Sequence, residues 1–419
     1  MQTILTFIII FCVIVTFHEF GHFYFAKKSG ILVREFAIGM GPKIFSHQGK
    51  DGTAYTVRVL PLGGYVRMAG WGEDEEDIKT GTPVGLKLNS EGIVTQISLS
   101  DKGAMDFLPL TLTAYDLVES LTITGLVNNE EQTYSVDHDA TIIEKDGTKL
   151  RIAPLDVQFQ SAKLSQRMLT NFAGPMNNFI LGIILFMILT FVQGGVPTSS
   201  TNRIGEVTPN SPAAQAGLKE DDAIISANQK KIKKWSDLAN VIEQSKGKEM
   251  TLKVKRNNKT FAVSLKAKVM TVNGQKSTMI GISQPLNRNF IAKVTGGFSR
   301  AFDVSFSIFK ALGSLITKPD LNKLGGPVMI FELSSQVSKQ GWQSVVALMA
   351  ALSMNLGIFN LLPIPALDGG KLLMNIIEGV RGKPLSQEKE GIITIVGMVL
   401  MVILMILVTW NDIFRFINR

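Results

Sequence analysis

FHEFGH, residues 17–22, closes an apolar run that begins at Thr3 and carries no charged side chain as far as Phe17. Two histidines and a carboxylate thus enter a segment with the composition of a membrane span. A charged group near the bilayer centre costs at least about 2.5 kcal/mol on insertion scales, so three ionisable residues together demand compensation. A metal ion supplies it.

The chain has 419 residues, 45% hydrophobic and 19% charged, a balance that leans toward a membrane protein with two or three domains. Apolar stretches recur at 4–17, 179–192, 345–362 and 392–408. Each is close to the roughly 20 residues that cross about 30 Å of hydrocarbon, so four transmembrane helices are expected. The first lacks a basic n-region and a small-x-small cleavage site, with Lys27 and Lys28 after it, and is expected to remain attached. Lys27, Lys28, Arg34 and Lys43 follow the first span, Lys163 and Arg167 precede the second, and Arg381, Lys383 and Lys389 lie between the third and fourth. This bias puts both termini outside a plasma or inner membrane, although Arg415 and Arg419 run against it. The formal charge of +8 is spread over loops, which suits anionic membrane lipid and gives no sign of nucleic acid. The single cysteine, Cys12, lies inside the first span and reads as packing.

Along the chain, 1–26 holds the first span, and 31–70 alternates apolar and polar residues as a membrane-associated β-sheet does. Residues 72–165 read as a cytoplasmic β-rich module, in which the acidic patch Glu73–Asp77 is a solvated loop. The second span is expected at 170–195 and a soluble extracytoplasmic domain at 203–285. In the juxtamembrane stretch 296–340, Phe298, Phe302, Phe306, Phe309, Gly313 and Ile316 fall at helical spacing with few charges opposite. That pattern suits a helix on a membrane surface, and equally one packed on the preceding domain. The third span is expected at 343–366 and the fourth at 390–410.

On a helix, residues i and i+4 share one face, so His18 and His22 can offer imidazoles to one ion, with Glu19 in reach of water on it. Zinc suits imidazole nitrogen, does no redox chemistry, and with three protein ligands lowers the pKa of its water toward ~7. Glu19 then takes that water's proton and delivers it to a leaving amine. A solvated helix face carrying HExxH by chance is the bland alternative, and the apolar setting disfavours it.

A third ligand is needed. His47 and His138 qualify by type but sit in polar, loop-like settings. Asp368 is the better candidate: it ends NLGIFNLLPIPALDGG, residues 355–370, where Pro363 and Pro365 break an apolar span before a lone carboxylate. An Asp capping the helix that follows is the competing reading. Topology favours the ligand, because His18 lies about 25 Å along a helix entered from outside, and Asp368 ends a span running the same way.

With HEFGH in the first span and Asn360, Pro363, Pro365 and Leu367–Gly370 ending the third, the chain resembles the site-2 protease family of intramembrane zinc metalloproteases. The bacterial branch with an extracytoplasmic PDZ domain, called regulator of sigma-E protease in some species, is the match. AGPMNNF, Ala173–Phe179, is similar to that family's second-span motif. The resemblance implies Zn2+ bound by His18, His22 and Asp368, Glu19 as base, and Asn360 on the substrate backbone near the scissile bond. A substrate helix hides its peptide bonds in its own hydrogen bonds and must unwind before water can attack. Pro363 and Pro365 break the enzyme's helix where non-helical backbone is wanted, Asn360 can pair with freed peptide groups, and the 31–70 sheet could take the opened segment as a strand. The stretch from Ile204 to Ile242, with SPAAQAGL, resembles a PDZ domain.

The expected architecture is a polytopic α-helical membrane protein with four transmembrane helices, a membrane-associated β-sheet, a cytoplasmic β module and one extracytoplasmic PDZ domain of α+β type. The implied partners are single-span membrane proteins, such as anti-sigma factors and remnant signal peptides after ectodomain trimming; the oligomeric state stays open. A polytopic metal transporter with a PDZ sensor is the rival, and needs further ionisable residues through the spans, where the second and fourth offer almost none. A scaffold with a decayed site would have lost Glu19 or Asp368. The orientation is tested by cysteine labelling of intact cells after Cys12 is replaced. A Lys50→Cys variant should stay unlabelled by an impermeant reagent, and labelling would invert the assignment.

Overall fold

The computed structural model describes residues 2–70, 78–99, 107–145, 147–272, 275–320, 322 and 324–417, and the acidic patch Glu73–Asp77 lies outside them. Chain order begins with α1 (Gln2–Lys28), β1 (Val33–Gln48), β2 (Ala54–Met68), β3 (Pro83–Leu88), β4 (Val94–Ser98), β5 (Leu108–Asp116), β6 (Thr122–Val127), β7 (Glu130–Ile143), β8 (Lys149–Arg151) and α2 (Leu164–Val192). Next come β9 (Val196–Pro197), α3 (Pro212–Gln215), β10 (Ala223–Ala227), β11 (Lys230–Lys231), α4 (Trp235–Gln244), β12 (Glu249–Arg256), β13 (Lys259–Lys266), β14 (Lys268–Val272), β15 (Gln275–Met279) and β16 (Leu286–Asn287). Five helices remain: α5 (Phe290–Thr317), α6 (Pro327–Gln340), α7 (Trp342–Asn360), α8 (Asp368–Arg381) and α9 (Gln387–Ile417).

A backbone without water must satisfy its own N–H and C=O groups, so apolar runs of span length fold as helices. Among the described residues α1, α2, α7 and α9 are long and apolar enough to cross a membrane. The chain divides into two compact units, Met1–Leu185 with Ala301–Arg419, and Phe186–Arg300.

In the first unit, α2 lies against α1 and α7. Ile10, Ile14, Leu181 and Met349 form a buried cluster among these three helices. The contacts are close because small residues face them: a Cβ on Gly21 would fall on the Ala173 carbonyl and stand 3.0 Å from the Gly174 nitrogen. The helix α7 stops at Asn360, short of residue 366, since Pro363 and Pro365 follow and Ala366 takes a φ of 77°. The mostly exposed α9 is pinned near its end, where the buried Asp412 Oδ2 accepts from the Gly326 and Met329 nitrogens at 2.9 and 3.0 Å and so caps α6.

The strands β1 and β2 bend so that the first half of β1 sits between the two halves of β2: Phe36 pairs with Val66 on one side and Tyr55 on the other. Glu35, 2% exposed, ties them together by accepting from Thr56 Oγ1, Arg58 Nη2 and Tyr65 Oη at 2.5, 2.7 and 2.8 Å. Burial and the Glu35 charge push the Tyr65 hydroxyl well above its usual range, which keeps it a donor. The far end of this hairpin exposes Met40, Ile44, Phe45, Val59 and Leu60. The strands β3–β8 form one sheet in the order β4-β3-β5-β6-β7-β8, and a parallel β4–β7 pairing closes five of them into a ring around Leu86, Ile97, Leu112 and Ile123.

The second unit is built on the antiparallel sheet β11-β10-β12-β13, whose alternation buries Met250, Leu252 and Val254 beneath Leu238, Val241 and Ile242 of α4. Asp222, 1% exposed, accepts from Arg256 Nε and Nη2 at 2.6 and 2.7 Å.

The glycine contacts give a paired stability test on detergent-purified protein. Gly21→Val should lower the thermal unfolding midpoint, because overpacking a close contact costs about 1–3 kcal/mol. Gly313→Ala, in α5 with nothing within 4 Å, should leave it unchanged or higher. An unchanged midpoint for Gly21→Val would show that α1 and α2 need no such approach.

Candidate metal and catalytic centre

His18 and His22 leave α1 on one face, their rings 4.9 Å apart and 82° from coplanar. Their Nε2 atoms are 3.2 Å from each other. Asp368 Oδ2 stands 3.2 Å from His18 Nε2 and 3.4 Å from His22 Nε2. All three residues are buried and their ligating atoms lie within 4.8 Å of one another, the only such group of three or more His, Cys, Asp or Glu among the described residues.

The turn after α7 delivers the carboxylate. Leu361–Leu367 folds back on the start of α8, where a Cβ on Gly369 would fall on the Leu361 and Leu362 carbonyls and one on Gly370 on that of Ile364. Only a residue without a side chain lets this backbone lie so close. Asp368, first residue of α8, then aims its carboxylate at the imidazoles.

Two elements orient the histidines. His22 Nδ1–H donates to the Thr170 carbonyl at 2.8 Å, which leaves the Nε2 lone pair facing the other ligands. His18 Nδ1 lies 3.0 Å from Asn178 Nδ2. Between them, Gly174 of α2 forms a cradle: a Cβ there would fall on His22 Nε2 and stand 2.7 Å from His18 Cε1. Arg167 braces α2 against α8 through Glu378, with contacts of 2.5 and 3.0 Å.

Glu19 follows His18 on α1, half-buried, and its Cγ is 3.7 Å from where a Cβ on Gly64 of β2 would stand. Asn360, last residue of α7, places Nδ2 3.4 Å from His18 Nε2. Pro363 and Pro365 lie in the turn, where Pro365 packs on Gly397 of α9. His47 and His138 stay outside: both are exposed, and His138 bonds Asp139 and Asp156. Thr170 was not singled out by sequence reasoning, and Gly174 and Asn178 were marked there only as members of the second-span motif AGPMNNF, with no role toward the histidines. The available signal was the pair Asn177–Asn178 inside an apolar run, where a polar amide needs a partner.

Two imidazole nitrogens and a carboxylate oxygen, converging with the rings held from behind and room kept by a glycine, fit a zinc ion with an open position.

Comparison with known proteins agrees with this geometry. Residues 6–404 match the model of Peptidase family M50. A protein of Enterococcus faecalis named "Probable protease eep" is 57% identical over 420 residues, covering 99% of this chain and 100% of its own. A protein of Streptococcus pyogenes serotype M6, whose name designates a zinc metalloprotease, is 55% identical over 99% of each chain. Another so named, from Streptococcus pneumoniae serotype 4, is 51% identical over the full length of both.

The cradle makes a prediction that leaves every candidate ligand in place. Gly174→Ala should reduce the zinc retained by purified, folded protein, read by atomic absorption after dialysis. Full zinc in that variant would show that the imidazoles do not need the space.

Proposed function

The chain belongs to Peptidase family M50, the site-2 protease family, and we propose that it cuts peptide bonds within or beside the transmembrane segments of single-span membrane proteins. It is a zinc metalloprotease and a multi-pass membrane protein. The observation that carries the proposal is the convergence of Asp368 Oδ2, from α8, on His18 Nε2 and His22 Nε2, which lie with Glu19 in α1, a helix of span length.

His18, His22 and Asp368 are the residues that would hold zinc. Bound there, it supplies a Lewis acid that polarises the scissile carbonyl and acidifies water at neutral pH. Glu19 takes the proton of the attacking water on its carboxylate and returns it to the departing amine. Asn360 offers its amide to peptide groups freed when the substrate helix unwinds. Pro363 and Pro365 keep the enzyme's own chain non-helical beyond it. An opened segment adds to the β2 edge at Gly64, which runs past Glu19. The exposed apolar hairpin end rests in the membrane surface, as does the phenylalanine face of α5.

Residues 203–285 act as a PDZ domain. With both termini outside and 27–165 and 371–389 in the cytoplasm, this domain is extracytoplasmic and admits substrates already trimmed outside, such as anti-sigma factors and remnant signal peptides.

Purified variants test the chemistry. Glu19→Gln should keep zinc and lose cleavage, because the base goes and the ligands stay. Asn360→Ala should keep zinc and slow turnover in a graded way, since the lost hydrogen bond is worth about 1–3 kcal/mol. Cleavage by Glu19→Gln at the parent rate, or zinc lost together with activity in Asn360→Ala, would remove these roles. Gating is read with paired substrates, one with a folded ectodomain and one trimmed. Deleting residues 203–268 should release cleavage of the untrimmed substrate and spare the trimmed one. Loss of the trimmed cleavage with zinc retained would favour recruitment by a peptide-binding groove instead.

A further inference from the structure

The two imidazoles are not held alike. His22 has a backbone carbonyl behind it, whereas His18 faces an amide side chain, and that amide is oddly placed. Asn178 is 0% exposed, its Nδ2 is 3.0 Å from His18 Nδ1, and its Oδ1 is buried with no hydrogen-bond partner. Its backbone is fixed from the other side, where the fully buried Ser353 Oγ of α7 donates to the Asn178 carbonyl at 2.8 Å.

The chemistry of a ligating imidazole limits what can stand at this position. A neutral imidazole has one N–H, so a His18 that offers Nε2 to a metal carries its proton on Nδ1. Nδ1–H must then meet an acceptor, and an amide NH2 is none. A half-turn of the amide keeps its shape and brings the partnerless Oδ1 to Nδ1–H, converting a donor–donor approach into a hydrogen bond. We propose that Asn178 is a positioning residue that holds His18, through an Nδ1–H···Oδ1 bond, in the tautomer and ring orientation that point Nε2 at the metal.

On this basis α2 supplies both outer partners: the Thr170 carbonyl for His22 and the Asn178 amide oxygen for His18. The Gly174 cradle lies between them in the chain. The segment that packs α1 thus also sets the direction of both ligand lone pairs. Outer partners of this kind fix the ring and raise the ligand's basicity, and their loss typically weakens metal binding about 10–100-fold.

The inference rests on His18 being a ligand, so the experiment separates the two. Zinc affinity of the full-length protein in detergent is measured by competition with a chromophoric chelator, and the cobalt(II)-substituted protein is examined by its visible spectrum. His18→Ala tests the ligand: near-parental affinity there would sink that reading and the inference with it. If His18→Ala loses zinc, Asn178→Leu, similar in size but without an acceptor, should bind zinc about 10–100-fold more weakly, with an altered cobalt spectrum. Asn178→Asp, which keeps an acceptor at the same place, should restore parental or tighter affinity. A purely structural role would not be rescued by a buried carboxylate. Affinity of Asn178→Leu within about threefold of the parent, short of the loss expected for an outer partner, would overturn the inference. So would an Asn178→Asp protein as weak as Asn178→Leu. Should the leucine variant fail to fold, Asn178→Asp decides alone: parental or tighter binding supports the bond, and weaker binding refutes it.

Discussion

Three ionisable side chains converge on one buried point in a bundle of apolar helices, and the rest of the first unit is arranged around that constraint. His18, His22 and Asp368 come from α1 and α8, and α2 closes the site. Groups of this kind are tolerable in an apolar surrounding only when each finds a partner at bonding distance. Such distances require backbones to come closer than ordinary side chains permit. Gly21, Gly174, Gly369 and Gly370 stand where a Cβ would collide with a neighbouring backbone or with the imidazoles themselves. The Arg167–Glu378 pair then ties the first turn of α2 to α8.

The same physics explains why the chain abandons helix at 361–367. Irregular backbone is costly at membrane depth unless it is buried in protein or lines a polar cavity. Here it is packed under the start of α8 and bounded by two residues that face His18, Asn360 at one end and Asp368 at the other. One break in one helix therefore provides a candidate ligand and a candidate contact for substrate. The curled β1–β2 sheet, pinned internally by Glu35, carries Gly64 past Glu19 and brings a strand edge to the same place.

Much of this was legible in the chain. Four apolar runs announced the spans, and HExxH placed two imidazoles on one helical face because i and i+4 coincide there. Asp368 stood out as a lone carboxylate behind two prolines, and the structure brings it to the histidines. The ends of elements were less legible. The helix α1 runs on to Lys28 well past its uncharged stretch, and α7 ends at Asn360 although the apolar pattern continues. Hydropathy reports where a segment can be buried, whereas helix ends are set by backbone geometry, here the prolines and the strained φ of Ala366.

Sequence alone determined the membrane class, the metal-type chemistry and the residues that could ligate, because residue type and helical spacing are local properties. Tertiary structure decided how those residues are held. The partner of His22 is the backbone carbonyl of Thr170, a group every residue possesses, so no choice of side chain could reveal it. The space for the imidazoles is the missing Cβ of Gly174, and a glycine's purpose is set by what approaches it from another element. The amide behind His18 is an ordinary asparagine until α1 and α2 are brought together. Each of these is a property of a pair of elements, and pairs come into being only when the chain folds.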